Sequence, residues 1–302
     1  MKVFNLRRVR MEVIMPQNFY ELVWIFIVYA FLGWCTEVSY AALDTGKFVN
    51  RGFLNGPYCP IYGCGVVIVV AVLTPLQENL AILFAGSFLL TSVLEYLTGF
   101  MLEKFFHNKW WDYSDFPFNI KGYICLKFSI LWGLACTFIM KVLHPMIYGV
   151  IVRIPYVFGA VTLVVLMSGF AVDLCVTVST ILKFNRHIRA IDEVAAALHR
   201  FSDGIGENIY ENVTDVLEST ETARARIADA KRERRREYEE LAAKYERLLA
   251  EKNSGFRRLI DAFPDMVSRD RNETLQKYKT YFRSRAGKTK DKEMNSEDGQ
   301  NR

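Results

Sequence analysis

The sequence predicts an all-α fold: a polytopic membrane helix bundle of five transmembrane helices, organised as a parallel two-helix repeat, with a long cytoplasmic amphipathic helix behind it. Three observations point there. Long apolar runs fill the first 185 residues. Charge is concentrated after them, with 13 basic and 10 acidic side chains in residues 1–185 against 25 and 23 in residues 186–302. One motif is written twice, as RGFLNGPYCPIYG from Arg51 to Gly63 and as KGYICLKFSILWG from Lys121 to Gly133. The expected domains are a flank over 1–19, a transmembrane domain over 20–185, a cytoplasmic helical domain over 186–286 and a disordered tail over 287–302.

Crossing roughly 30 Å of hydrocarbon takes about 20 apolar residues. Runs of that kind cover Tyr20–Leu43, Tyr58–Leu76, Leu80–Phe105, Tyr123–Leu143 and Val150–Lys183. Lipid offers no hydrogen-bond partners, so each run is expected to be helical. Thr74–Asn79 has room only for a tight hairpin, whereas Phe106–Ile120 is a long aromatic loop. The first run is too long for a cleaved signal and lacks a small-residue cleavage site, so it is expected to stay in the protein.

Orientation follows from Lys and Arg in the short flanks. Counted from Met15, one of three candidate starts, Lys47, Arg51, Lys104, Lys109, Lys121, Lys183, Arg186 and Arg189 fall on one side, and Lys141 and Arg153 on the other. That balance predicts a multi-pass protein of the cell membrane with its N-terminus outside and its C-terminal tail in the cytoplasm.

Each copy of the motif opens an even-numbered span after a polar loop. Gly52 pairs with Gly122, Phe53 with Tyr123, Tyr62 with Trp132 and Gly63 with Gly133, with equal glycine spacing. Upstream, Glu37 of FLGWCTE and Glu95 of LLTSVLE occupy equivalent places in the odd-numbered spans. The second copy carries an insertion containing KWWDYSDFP. Both units enter the membrane in the same direction, which relates them by an axis along the membrane normal and sets Glu37 opposite Glu95.

Charged groups within spans are costly and rarely face lipid. Glu37, Glu95, Lys127 and Asp173 are therefore expected to point into the bundle as a candidate intramembrane polar site. They would form a polar path or a proton-linked carboxylate pair; alternatively, Lys127 pairs with a Glu and locks the helices in register. Asn55-Gly56-Pro57 and Pro60 break the start of the second span, and helix-free backbone at that depth needs cover from protein or water. Arg51, Asn55, Tyr58 and Tyr62, with Trp111, Asp112 and Lys121, are the candidate cavity lining. The amphipathic rings of Trp110, Trp111 and Tyr113 suit a headgroup belt. The six cysteines read as small packing residues, and no spacing of Cys, His or carboxylates suggests a metal, a cofactor or a catalytic group. The expectation is therefore a protein that is not an enzyme.

At FLGWCTEV, NRGFLNGPYCPIYG, LEYLTG, WWDYSDFPFNIKGYICLKFSILWG and, in the tail, RLIDAFPDM, the chain resembles the type IV ABC-transporter permease family of Gram-positive and related bacteria. The resemblance covers most of residues 18–185 and a short tail segment. It implies a polytopic transport protein, a permease or permease subunit of unknown substrate. A separate ATP-binding subunit is implied as partner, because Gly287-Lys288-Thr289 lacks the earlier glycine of a phosphate-binding loop, Phe282 standing in its place. The resemblance carries over no site residues.

In the tail, Val213, Leu217, Thr220, Ile227, Tyr238, Leu241, Tyr245 and Leu248 recur at helical steps, predicting one helix from about Asn212 to Lys252 that can self-associate into a homo-oligomer. KRERRREYEE mixes both signs, so it reads as a solvated face and argues against a nucleic-acid partner. Membrane lipid is the expected surrounding of the first half. A scaffold that recruits partners through this helix is the alternative function.

Overall fold

The computed structural model describes residues 15–216, 221–251 and 253–284. The expected disordered tail, most of the N-terminal flank, the Gly287-Lys288-Thr289 stretch and the stripe positions Leu217 and Thr220 lie outside the described residues. The chain divides into two compact units, Met1–Ile181 with Gly255–Arg269, and Leu182–Ser254 with Asp270–Arg302.

The first unit holds α1 (Phe19–Thr45), α2 (Pro60–Leu73), α3 (Leu80–Phe106), α4 (Leu126–Ile151) and the start of α5 (Tyr156–Val216). Asn18 caps α1 by accepting the Glu21 amide at 2.9 Å, and Asn79 caps α3 by accepting the amides of Ala81 and Ile82. Each cap satisfies donors that a helix start leaves unpaired. Gly46 ends α1 at φ 68°, a left-handed conformation that a residue without Cβ adopts freely. Within α4 the helix widens into a π turn at Ile139–Leu143. Pro145 explains it, since its ring clashes with the carbonyl four residues back and its nitrogen donates nothing.

Among the described residues, four helices are long and apolar enough to cross a membrane: Phe19–Thr45, Leu80–Phe106, Leu126–Ile151 and Tyr156–Phe201. The expected second span is shorter. Backbone from Asn50 to Cys59 is not helical, and α2 starts only at Pro60. Its 14 residues rise about 21 Å, and a tight turn over Thr74–Leu76 adds little. Pro57 and Pro60 delay the helix and Pro75 tightens its end.

Ile25, Tyr29, Val70, Leu73, Leu83 and Met140 form the buried centre of this unit. Along α5, Val157, Phe158, Val161, Val164 and Val172 face outward, as befits side chains meant for lipid rather than water. Among the described residues, two small antiparallel sheets accompany the bundle. β2 (Asn119–Ile120) pairs with β3 (Ile124–Cys125), and β1 (Asn108–Lys109) pairs with β4 (Val267–Ser268). β4 follows α7 (Ser254–Ala262), so the RLIDAFPDM segment belongs to the first unit.

In the second unit, α5 from Leu182 onward packs with α6 (Glu221–Ala250) and with α8, residues 272–284. His187 meets the Leu248 carbonyl at 3.0 Å and Phe201 meets the Tyr238 ring, so α6 returns antiparallel to α5. This corrects the expected arrangement of the tail. The amphipathic stripe of α6 is partly covered within its own chain, with Leu241, Tyr245 and Leu248 half-buried and Leu249 buried, while Tyr238 stays exposed.

Candidate functional site

Glu37 stands half-buried near the end of α1, where it accepts a 2.6 Å hydrogen bond from the Tyr62 hydroxyl on α2. Arg51 approaches the same carboxylate, Nε to Oε2 at 3.6 Å, and its guanidinium lies over the Tyr40 ring. Three residues expected at the site, Glu37, Arg51 and Tyr62, are thus brought together. Tyr62 can reach Glu37 because Gly33 sits one turn earlier on α1, where any Cβ would overlap the base of the Tyr62 side chain.

Glu95 on α3 is buried, 8% exposed. The Tyr113 hydroxyl donates to its Oε1 at 3.4 Å, Trp132 of α4 lies beside it, and Oε2 has no partner among the described residues. Tyr113 comes from the insertion, and its ring stacks on Phe128 with centroids 4.7 Å apart. Burial, and then the neighbouring Glu95, push the Tyr113 hydroxyl well above the ordinary tyrosine range. Tyr113 is a site residue that sequence reasoning placed in a headgroup belt instead. Trp110 corrects that expectation too: it is 4% exposed and packs on Phe53 and Phe263.

The two carboxylates differ in charge balance. Arg51 pairs with Glu37, but its counterpart Lys121 is exposed, and its left-handed backbone (φ 53°) presents its carbonyl to Lys109 Nζ. The phenol of Tyr113 stands at Glu95 where a cation was expected. Lys127 does not fill the gap, which corrects the expectation that it points inward to a Glu. It is exposed, and its ammonium lies over the rings of Phe116 and Phe128. α4 begins only at Leu126, after β3, and that start places Lys127 on the outer side of its first turn.

Asp173 of α5 binds Asn55. Its Oδ1 accepts the backbone amide and side-chain amide of Asn55 at 3.1 and 2.9 Å, and its Oδ2 accepts the Gly56 amide at 2.7 Å. Thr177 adds a 2.8 Å hydrogen bond from Asn55 Nδ2. Tyr58 follows, edge-on to Phe170. On the other flank of this loop, Arg258 of α7 donates to three consecutive carbonyls, those of Gly52, Phe53 and Leu54, at 2.8–3.0 Å. Burial lowers the Arg258 pKa from its ordinary value, and Asp173 opposes that shift. The non-helical stretch is therefore satisfied by protein on both sides, a carboxylate on its amides and a guanidinium on its carbonyls.

The remaining expected lining residues lie in the insertion. Trp111 donates from Nε1 to the Tyr123 carbonyl at 2.9 Å, and Asp112 accepts from the Ser114 amide and hydroxyl, with Lys109 4.0 Å away. They shape the loop that delivers Tyr113. Among the described residues no group of three or more His, Cys, Asp or Glu could hold a metal ion. Arg258 was the least visible member of the site, because its role depends on contacts across about two hundred residues of sequence.

No curated protein and no solved structure matches the chain. A family model does, over residues 24–178, which takes in α1 to the Asp173 end of α5 and hence both carboxylate sites. With that match, and with four helices apolar and long enough to cross a membrane, the chain belongs to the membrane-transport family described as "Putative ABC-transporter type IV".

Proposed function

We propose that the protein is the multi-pass permease component of a transporter, with its solute path running past Glu37 and Glu95. The observation that carries this reading is the doubling of the site. Glu37 is held by Tyr62 and Glu95 lies beside Trp132, and Tyr62 and Trp132 are equivalent positions of the motif. The helix contacts repeat as well. A Cβ on Gly63 would strike Phe26, and one on Gly133 would meet Phe84, equivalent residues of α1 and α3. Both pairs run odd helix to even helix in the same direction, which supports a parallel repeat about an axis normal to the membrane.

In this reading α2 and the covered loop before it together complete a fifth crossing. The Lys and Arg flanks support a cytoplasmic tail. The chemistry is passage of a solute with no bond made or broken, and ATP hydrolysis belongs to a separate subunit recruited from the cytoplasm. Affinity purification of the full chain from its native membranes tests this. The eluate should contain a stoichiometric ATP-binding subunit and hydrolyse ATP. A pure chain without ATPase activity in several mild detergents would favour the scaffold reading.

A further inference from the structure

The tail segment after α6 does more than close the chain. Arg258 grips the carbonyls of residues 52–54, immediately after Arg51, the one cation that faces Glu37 among the described residues. The grip is supported on both sides. Phe263 packs on Trp110 with ring centroids 4.7 Å apart, β4 pairs with β1, and the Arg269 amide donates to the His107 carbonyl. Asp173 fixes the far side of the loop, so Arg258 controls the side nearest Arg51.

We infer that Arg258 is a positioning residue: docking of the α7–β4 segment sets Arg51 against Glu37, and release of that segment frees the carboxylate of its cation. The inference rests on Glu37 being part of the solute path, but the clamp itself is read without transport. The physical reason is the planar fork of a guanidinium, which satisfies several carbonyls at once as a point-charge ammonium cannot. Because Arg51 is joined directly to the gripped residues, a shift of the loop moves its attachment point. Tail movements driven by a cytoplasmic partner would thereby reach the site.

The test uses the full chain in lipid nanodiscs, in two single-cysteine backgrounds that keep either Cys59 or Cys136, both buried at 7% exposure. Cys59 ends the gripped loop, its amide bonded to the Ala30 carbonyl at 2.9 Å; Cys136 lies in the bundle. Arg258→Ala should speed maleimide labelling of Cys59 by about tenfold or more through local opening and leave Cys136 unchanged, and Arg258→Lys should restore protection only in part. In thermal unfolding, the losses caused by Arg258→Ala and Glu37→Gln should fall short of their sum, because the first already removes Arg51 from Glu37. Unchanged Cys59 labelling, equal acceleration at both cysteines, or strictly additive thermal shifts would each overturn the inference. If the purification experiment fails while the clamp behaves as described, the permease reading falls and the positioning role stands.

Discussion

Tyr62 and Trp132 meet edge to face, ring centroids 5.4 Å apart at 85°, each from the equivalent position of a repeated motif. Tyr62 donates to Glu37 and Trp132 lies beside Glu95, so this one ring contact links the surroundings of the two carboxylates. The relationship places the paired motif at the middle of the polar cluster.

Gly33→Ala should damage the site directly. The added methyl would occupy the space of Tyr62 Cβ and Cγ, and Cβ is fixed by the backbone, so no rotamer change moves it aside. We expect a loss of about 1–3 kcal/mol, as for other overpacked positions, measured as a fall in Tm of the detergent-purified protein. Gly169→Ala is the control, since a Cβ there meets nothing within 4 Å. An equal Tm for both variants would mean that the α1–α2 contact is looser than described.

Asp173→Asn should loosen the loop before α2. The carboxylate accepts three hydrogen bonds from Asn55 and Gly56, and an amide keeps only one acceptor oxygen. Losing the charge-assisted bonds should cost about 1–3 kcal/mol and raise hydrogen exchange in peptides covering residues 50–59. Exchange unchanged there would show that Arg258 and packing alone suffice.

Much of this site was legible in the sequence, and the limits of that legibility are physical. A charge inside an apolar run has few places to go, so Glu37, Glu95 and Asp173 announced themselves, and the Pro57 and Pro60 break marked the covered loop. Lys127 misled because its position depends on where α4 begins, which the β2–β3 hairpin decides. Tyr113 and Arg258 were hidden for another reason. A tyrosine in an aromatic loop and an arginine in a charged tail look ordinary until the chain folds back on itself. The tail was expected as one helix from about Asn212 to Lys252, whereas α5 ends at Val216 and α6 begins at Glu221, and the stripe positions from Tyr238 to Leu248 lie on a helix that meets α5 of the same chain.

Alkaline pH should destabilise the folded chain through two buried phenols. Burial, then Glu103, pushes the Tyr123 hydroxyl up to about 12, and burial, then Glu251, does the same to Tyr278. A folded-state value above the unfolded one of about 10 means that this stability is present below pH 10 and lost as pH rises towards 12. The Tyr278 hydroxyl has no hydrogen-bond partner among the described residues. Tyr278→Phe should therefore be neutral or stabilising by up to about 1 kcal/mol at pH 7 and should lessen the alkaline loss. A Tm at pH 11 that the substitution does not raise relative to pH 7 would refute this.

The doubled carboxylate site is tested most directly by uptake into inside-out membrane vesicles from cells producing the protein. The vesicles receive a cytoplasmic extract and ATP, and accumulated solutes are read by mass spectrometry. The wild type should concentrate at least one solute that control vesicles do not. The Glu37→Gln, Glu95→Gln double variant, which preserves shape and most hydrogen bonding, should reach the membrane in equal amount and lose that accumulation. Equal accumulation by the double variant would contradict the assignment of Glu37 and Glu95 to the solute path.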